Sequence, residues 1–252
     1  GWRVTFWLLS VVIVVVGLAA GAVLPGAEAR NEPAAVVAAP EPSDDHDLGS
    51  ALRTSAFWLL ALGHGAALVA VSAVNLHLVP LLTHDRGLSL ATAGIAVGVL
   101  SVAQLIGQVL TGLVGDLLDK RKLAWVCMLV QTVVLVVLAL APDFTTLLVA
   151  SVVHGLAWGL RGPVMTALRT DYFGVGSFGT IMGWSMGLVS IGLVMGPLLV
   201  SGLEAGPGYP VAFIAVAAVT GTGALAFVLL RRPRPRAVTR QACGCGGAVA
   251  PG

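Results

Sequence analysis

The sequence predicts an all-α, polytopic membrane protein with about seven membrane-spanning helices. Three observations carry that expectation. The 252-residue chain is 57% hydrophobic and only 10% charged, with a mean hydropathy of +0.95, which no ordinary soluble domain of this length shows. Its apolar residues gather into runs of roughly 20, the length that crosses a bilayer as a helix. The breaks between the later runs are short and carry Gly, Pro and Asp, as in HDRG, PDF and EAGPG.

The first run is Val4 to Leu24. It is long, lacks a basic leader and follows Gly1 rather than Met, so it reads as a helix and not as a signal peptide. The chain is therefore expected to be a fragment that begins between two helices of a longer protein. A polar stretch follows, with Glu28, Glu32, Pro33, Pro40, Pro42, Asp44, Asp45 and Asp47, and reads as a flexible linker over 25–54. Six further runs occupy about 55–82, 88–113, 123–141, 145–168, 180–203 and 209–230. They predict a six-helix block over 55–230. A basic tail, RRPRPR onward, fills 231–252.

Lys and Arg concentrate on the cytoplasmic side of membrane proteins. With the first helix starting outside, Arg30, Arg53, Lys120, Arg121, Lys122, Arg169, Arg231, Arg232, Arg234, Arg236 and Arg240 fall inside. Only Arg3 and Arg86 fall outside. The linker and the tail are then cytoplasmic.

Arg161 is the exception, a cation within an apolar run. A charge at mid-bilayer costs ~2.5–3.5 kcal/mol on the mildest scale, so it is expected to face a cavity or a partner. Gly155, Gly159, Gly162 and Pro163 surround it and are expected to weaken or break the helix there. His154 and Trp158 share its face at i, i+4, i+7 spacing. The three together predict a site for a small anionic solute. Arg161 would pair with a carboxylate, Trp158 would pack on the solute, and His154 would hydrogen-bond or carry a proton. The plain alternative is an Arg161 that fixes helix packing.

Other polar residues are candidates for the same site. Ser101, Gln104, Gln108 and Thr111 form a polar stripe at helical spacing that would bind solute or join helices. His64 and Asn75 lie eleven residues apart on one side of their helix and are candidates for solute contact, with a structural hydrogen bond the preferred reading for each. No acidic residue lies deep in any run, so proton coupling would rest on a His or on residues outside this chain. Gly183, Gly187, Gly192 and Gly196 read as close helix packing. G-W-S-M-G around Ser185 fits the nucleophile-elbow pattern, but it lies in a helical run with no His after it, so no enzyme is expected. Cys127 is in an apolar run, and the Cys243–Cys245 pair has no second half to make a metal site.

The stretch G-L-V-G-D-L-L-D-K-R-K resembles the cytoplasmic loop signature of the major facilitator superfamily, through Gly112, Asp116, Lys120 and Arg121. Leu117 and Asp119 depart from it, standing where a basic residue and a Gly are usual. The opening G-W-R-V-T-F and the run from Arg161 to Gly183, with Tyr172-Phe173-Gly174 and Phe178-Gly179, are similar to the oxalate/formate and monocarboxylate transporter-like branch. The resemblance implies a sixth helix plus a six-helix C-terminal bundle of a facilitator-type fold, with the N-terminal half absent. It implies solute binding near the midplane and alternating access by rocking. Gln108 stands where that branch carries an anion-binding Arg, and 180–203 contains no Lys or Arg where the oxalate pattern has a Lys. The branch's best-known substrates are therefore not carried over.

The expected function is secondary active transport of a small solute, an organic anion first, with symport or antiport of a proton or ion. An exporter of an amphipathic or apolar compound is the alternative within transport, and an inactive membrane fragment the alternative outside it. The expected partners are the solute, the lipid bilayer and the missing six-helix half. Neither a cofactor nor nucleic acid is expected, and the expected location is the inner membrane of a bacterium.

Overall fold

The computed structural model describes residues 2–23 and 46–231, and every regular element among them is helical. The chain divides into two units, Gly1–Ser43 and Asp44–Gly252. The first holds α1 (Trp2–Val23), built on the apolar stretch Arg3–Ala19. The second holds a short α2 (Leu48–Leu52) and then α3 (Ser55–Pro80), α4 (Leu90–Val114), α5 (Lys120–Leu140), α6 (Phe144–Phe173), α7 (Phe178–Glu204) and α8 (Tyr209–Leu229). A π turn, Leu81–Asp85, prolongs α3, and a 3-10 turn, Gly115–Leu117, prolongs α4. The six helices α3 to α8 are each long and apolar enough to cross a membrane.

Local chemistry sets where these helices start. The side chains of Thr54, Ser89, Asp119 and Asp143 accept the backbone N–H three residues on, which otherwise has no partner in a first turn. Gly87, Gly174 and Gly208 take φ of 65°, 77° and 88° in the connections after α3, α6 and α7, a region where side chains are strained.

The structure differs from the sequence expectation at three places. The end of the expected linker is ordered: Asp47 caps α2, Ala51 is buried, and the His46 N–H donates to Phe173 O at 3.0 Å. Residues 24–45, where the rest of that linker was expected, lie outside the described residues, as does the tail from 232. Second, α6 is continuous through Gly155, Gly159, Gly162 and Pro163. Two of those glycines serve packing instead. A methyl at Gly155 would collide with Leu100 O of α4, and one at Gly159 with Gln104 O. Third, α6 runs on to Phe173 rather than ending near Leu168. That extension takes Arg169 into the bundle, where it is 1% exposed, and out of the set of cytoplasmic loop cations.

α4 packs along α6, α3 along α7, and α5 against both α6 and α8. The α3–α7 seam is close because Gly192 and Gly196 meet the α3 backbone at Gly65 and Val69. Gly183 and Gly187 of the same helix face open space. Lipid tails are as apolar as Leu, so close backbone approach of this kind is what holds membrane helices together.

The buried apolar residues form two clusters. One takes 69–82 of α3 and its π turn, 134–141, 147–150 and 209–217, and the other takes 56–67, 124–128, 164–173 and 224–230. On α5 and α6 the residues left between them in sequence include Gln131, His154 and Arg161. A polar layer thus separates two dry cores.

Candidate functional site

The buried polar groups fall into two sets, one within the second core and one in the layer between the cores, that differ in how they are satisfied. In the first, Arg169 joins three helices. Its Nε donates to Ser185 Oγ of α7 at 2.9 Å, and its Nη1 donates to Met165 O at 2.9 Å. Its Nη2 lies 3.1 Å from His64 Nδ1 of α3. A guanidinium only donates, so His64 Nδ1 is the acceptor and the imidazole is neutral with its proton on Nε2. The expected hydrogen bond at His64 is therefore present, with a partner the sequence reading had placed in a loop. Ser185 sits inside continuous α7 and serves as an acceptor, so the G-x-S-x-G pattern does not form an elbow.

In the second set, nothing is satisfied. Arg161 is 0% exposed, and its Nε, Nη1 and Nη2 have no hydrogen-bond partner. His154 and Gln131 are also 0% exposed, and both polar atoms of each lack a partner. Arg161 lies within electrostatic reach of His154, of Cys127 on α5, of His64 on α3 and of Arg169. No described acidic side chain makes an ion pair with Arg161 or Arg169. An unmet buried donor costs the group its hydration, more so when charged. The arrangement brings a positive charge and several hydrogen-bond donors together with no described acceptor bonded to them.

The remaining predicted residues lie elsewhere. Trp158 and Gln104 are half-buried, and Gln108 and Asn75 are exposed. The polar stripe on α4 divides accordingly, since Ser101 is exposed while Thr111 is buried and donates to Leu160 O of α6 at 2.8 Å. His77 lies 3.3 Å from Ser201 Oγ and 3.4 Å from Glu204, tying α3 to the end of α7.

The loop signature is assembled at the α4–α5 end. Lys120 Nζ meets Asp171 Oδ2 of α6 at 2.9 Å. Arg121 donates to Phe227 O and Val228 O at 2.9 and 3.0 Å, capping the last turn of α8. Asp119, where Gly is usual, caps α5 through the Lys122 N–H at 3.1 Å. Gly112 is exposed, and Asp116 lies on the 3-10 turn with its side chain outside the described residues. Lys120, Arg121 and Asp171 also line a polar cavity of about 520 Å³.

A second cavity, about 480 Å³, lies between α3, α7 and α8 and is lined by apolar side chains such as Trp58, Leu62, Val69, Ile191, Met195 and Val219. None of the described titratable groups lines it.

Sequence reasoning missed Gln131 and Arg169. Gln131 had a usable signal, a lone amide in an apolar run, four residues after Cys127 on one helical face. Arg169 had a weaker one: no turn residue precedes it, and the first stop signal is Gly174.

Among known protein families, the model described as Major Facilitator Superfamily matches residues 60–242. No curated protein matches the chain.

Proposed function

This chain belongs to the major facilitator superfamily and is a membrane transporter, and from that premise we propose that it takes part in secondary transport of a small organic anion by alternating access. The observation that carries the substrate class is Arg161, a fully buried guanidinium with no acid and no hydrogen-bond partner beside it among the described residues. A planar fork of donors matches a carboxylate. Alternating access needs a second bundle for α3 to α8 to rock against, and an N-terminal half of the same kind is proposed for that role. Arg161 would carry the anion, with His154 and Trp158 on the same helix. Gln104, Gln108 and Asn75, which lie away from Arg161, would meet solute only on its way to the site, and His64 would act through Arg169 on this reading. Gly112, Asp116, Lys120 and Arg121 would latch one conformation, so Asp116→Asn is expected to slow transport more than it weakens binding.

The Lys/Arg asymmetry supports an inner-membrane orientation with the linker and tail in the cytoplasm. It survives the removal of Arg169 from the loop set. Impermeant thiol reagents applied to intact cells should then leave Cys243 and Cys245 unmodified.

The direct test of the substrate class is anion binding and uptake by Arg161 variants that insert normally. Arg161→Lys should keep part of the activity, and Arg161→Ala should lose it. Well-folded Arg161→Ala protein with unchanged affinity for every organic anion tried would overturn the reading. A second reading, export of an amphipathic or apolar compound, is favoured by the apolar cavity between α3, α7 and α8. It predicts that filling the cavity, as in Val219→Trp, blocks transport while Arg161→Ala does not.

A further inference from the structure

Gln131 belongs to no interaction that the fold requires. It is 0% exposed, and its Nε2 and Oε1 both lack a partner. A buried amide in that state forfeits its hydration with nothing in return, so it needs a ligand or an ordered water. Its position suggests which. It lies nine residues before Leu140, the end of α5, and His154 lies ten after Phe144, the start of α6. At about 1.5 Å per residue the two sit at one depth, roughly 15 Å from the α5–α6 turn. Cys127, one turn from Gln131 on the same face of α5, is in electrostatic contact with Arg161. Arg161 lies two turns past His154, and its long side chain leans back toward the helix N-terminus. Two antiparallel stripes therefore face each other, Cys127–Gln131 on α5 and Arg161–His154 on α6.

We infer that Gln131 completes the anion site of Arg161, a tightly closed polar site inside the six-helix bundle that loosens to take a small planar oxyanion. The inference rests on the reading of Arg161 given above and adds its specificity residue. Arg161 supplies the charge and a fork of donors, the Gln131 amide supplies N–H donors from α5, and the His154 ring N–H supplies one more. No described carboxylate competes for these donors. Carboxylates and nitrate share the flat, delocalised geometry that such donors fit, and the test separates them.

The chain carries its own reporter, because Cys127 is buried one turn from Gln131 and becomes reactive when the bundle unfolds. With Cys243 and Cys245 changed to Ser, thermal unfolding of the full chain in nanodiscs is followed by a thiol-reactive dye, with sodium acetate or sodium nitrate titrated at constant ionic strength. General salt effects act on every variant alike, so the quantity read is the half-saturating concentration of each variant against the parent. A saturable rise in Tm is expected for the parent. Losing one hydrogen bond to a charged ligand should raise the half-saturating concentration about tenfold in Gln131→Met. Gln131→Glu should instead raise the Tm of the anion-free protein and abolish the response, because its carboxylate takes the anion's place. That opposite sign is one a merely structural glutamine would not give, and it decides the matter even if Gln131→Met fails to fold. A response to acetate alone assigns the site to carboxylates, and a response to both assigns it to planar oxyanions in general. A Gln131→Met response within twofold of the parent, with Arg161→Gln inert, overturns the role of Gln131 alone. An Arg161→Gln response like the parent's, or no saturable response in the parent, overturns the reading of Arg161 as well.

Discussion

Replacing single glycines of α7 by alanine should change stability with opposite signs along one helix. In a helix interior Gly→Ala removes backbone freedom from the unfolded chain and favours folding by roughly 0.5–1 kcal/mol. At Gly183 and Gly187 an added methyl meets nothing within contact range, so that gain is all that changes. At Gly192 the methyl would run into the Gly65 carbonyl of α3, and at Gly196 into Val69 O and Ser72 Oγ. Backbone cannot rotate aside as a side-chain tip can. Overpacking of this kind costs about 1–3 kcal/mol, and the collision with main chain puts it in the upper half of that range. After subtraction of the same propensity gain, Gly192→Ala should lose about 1–2 kcal/mol. The two sites should differ by roughly 2–3 kcal/mol from identical chemistry a little over one turn apart. Reversible unfolding in mixed micelles, followed by helical circular dichroism, measures both. Equal stabilities for Gly187→Ala and Gly192→Ala would refute the close α3–α7 seam.

Three further outcomes follow from the contacts described. Arg169→Ala should destabilise the bundle by ~3–5 kcal/mol, since it opens a cavity as well as leaving Ser185 and His64 unpartnered, whereas Arg169→Met, which fills the volume and loses only the hydrogen bonds, should lose ~1–3 kcal/mol in the same unfolding assay. Asp171→Asn breaks a half-exposed pair with Lys120 and should cost only ~0–1 kcal/mol, so a larger loss in thermal stability would show that the pair does more than hold the loop. At Asp143 the N–H of Thr146, 2.8 Å from Oδ1, holds the carboxyl below its usual range. A depressed carboxyl stabilises the folded state above its unfolded pKa of ~3.9 and loses that contribution as pH falls through the folded value. Asp143→Asn, which keeps the acceptor, should remove that acid dependence from the unfolding curve without moving the start of α6.

The six long helices could be read from the sequence because the apolar runs are interrupted by short turns carrying Gly, Pro or Asp, and α3 to α6 each start at a capping Thr, Ser or Asp. α7 and α8 start at Ser177 and Gly208 without a side-chain cap. What the runs could not show was which side a residue faces. Arg161 and His154 were found by their residue type against an apolar background. Asn75 and Gln108, flagged by that same rule, turned out exposed. Arg169 escaped because charge was taken to end a helix. In fact a charge can stay within a bundle when carbonyl, hydroxyl and imidazole acceptors from three helices converge on it. The glycines of α6 misled because Gly is both a weak helix former and the only residue that lets two backbones touch, and sequence alone does not say which property is in use.

α6 is held at two depths by unlike means. Gly155, Gly159 and the Thr111 hydroxyl bind its first half to α4, and Arg169 binds its last turns to α3 and α7. Between the two grips stands Pro163, which has no N–H to give to Gly159 O, so the helix lacks one rung of its own ladder there. Mechanically this is a rod with a soft joint and separate clamps on either side of it. One end can tilt with α4 while the other stays with α3 and α7, and the joint absorbs the difference as a bend. Arg161 sits two residues from that joint. A small flexure of α6 would therefore swing the buried guanidinium through an arc without unpacking either core.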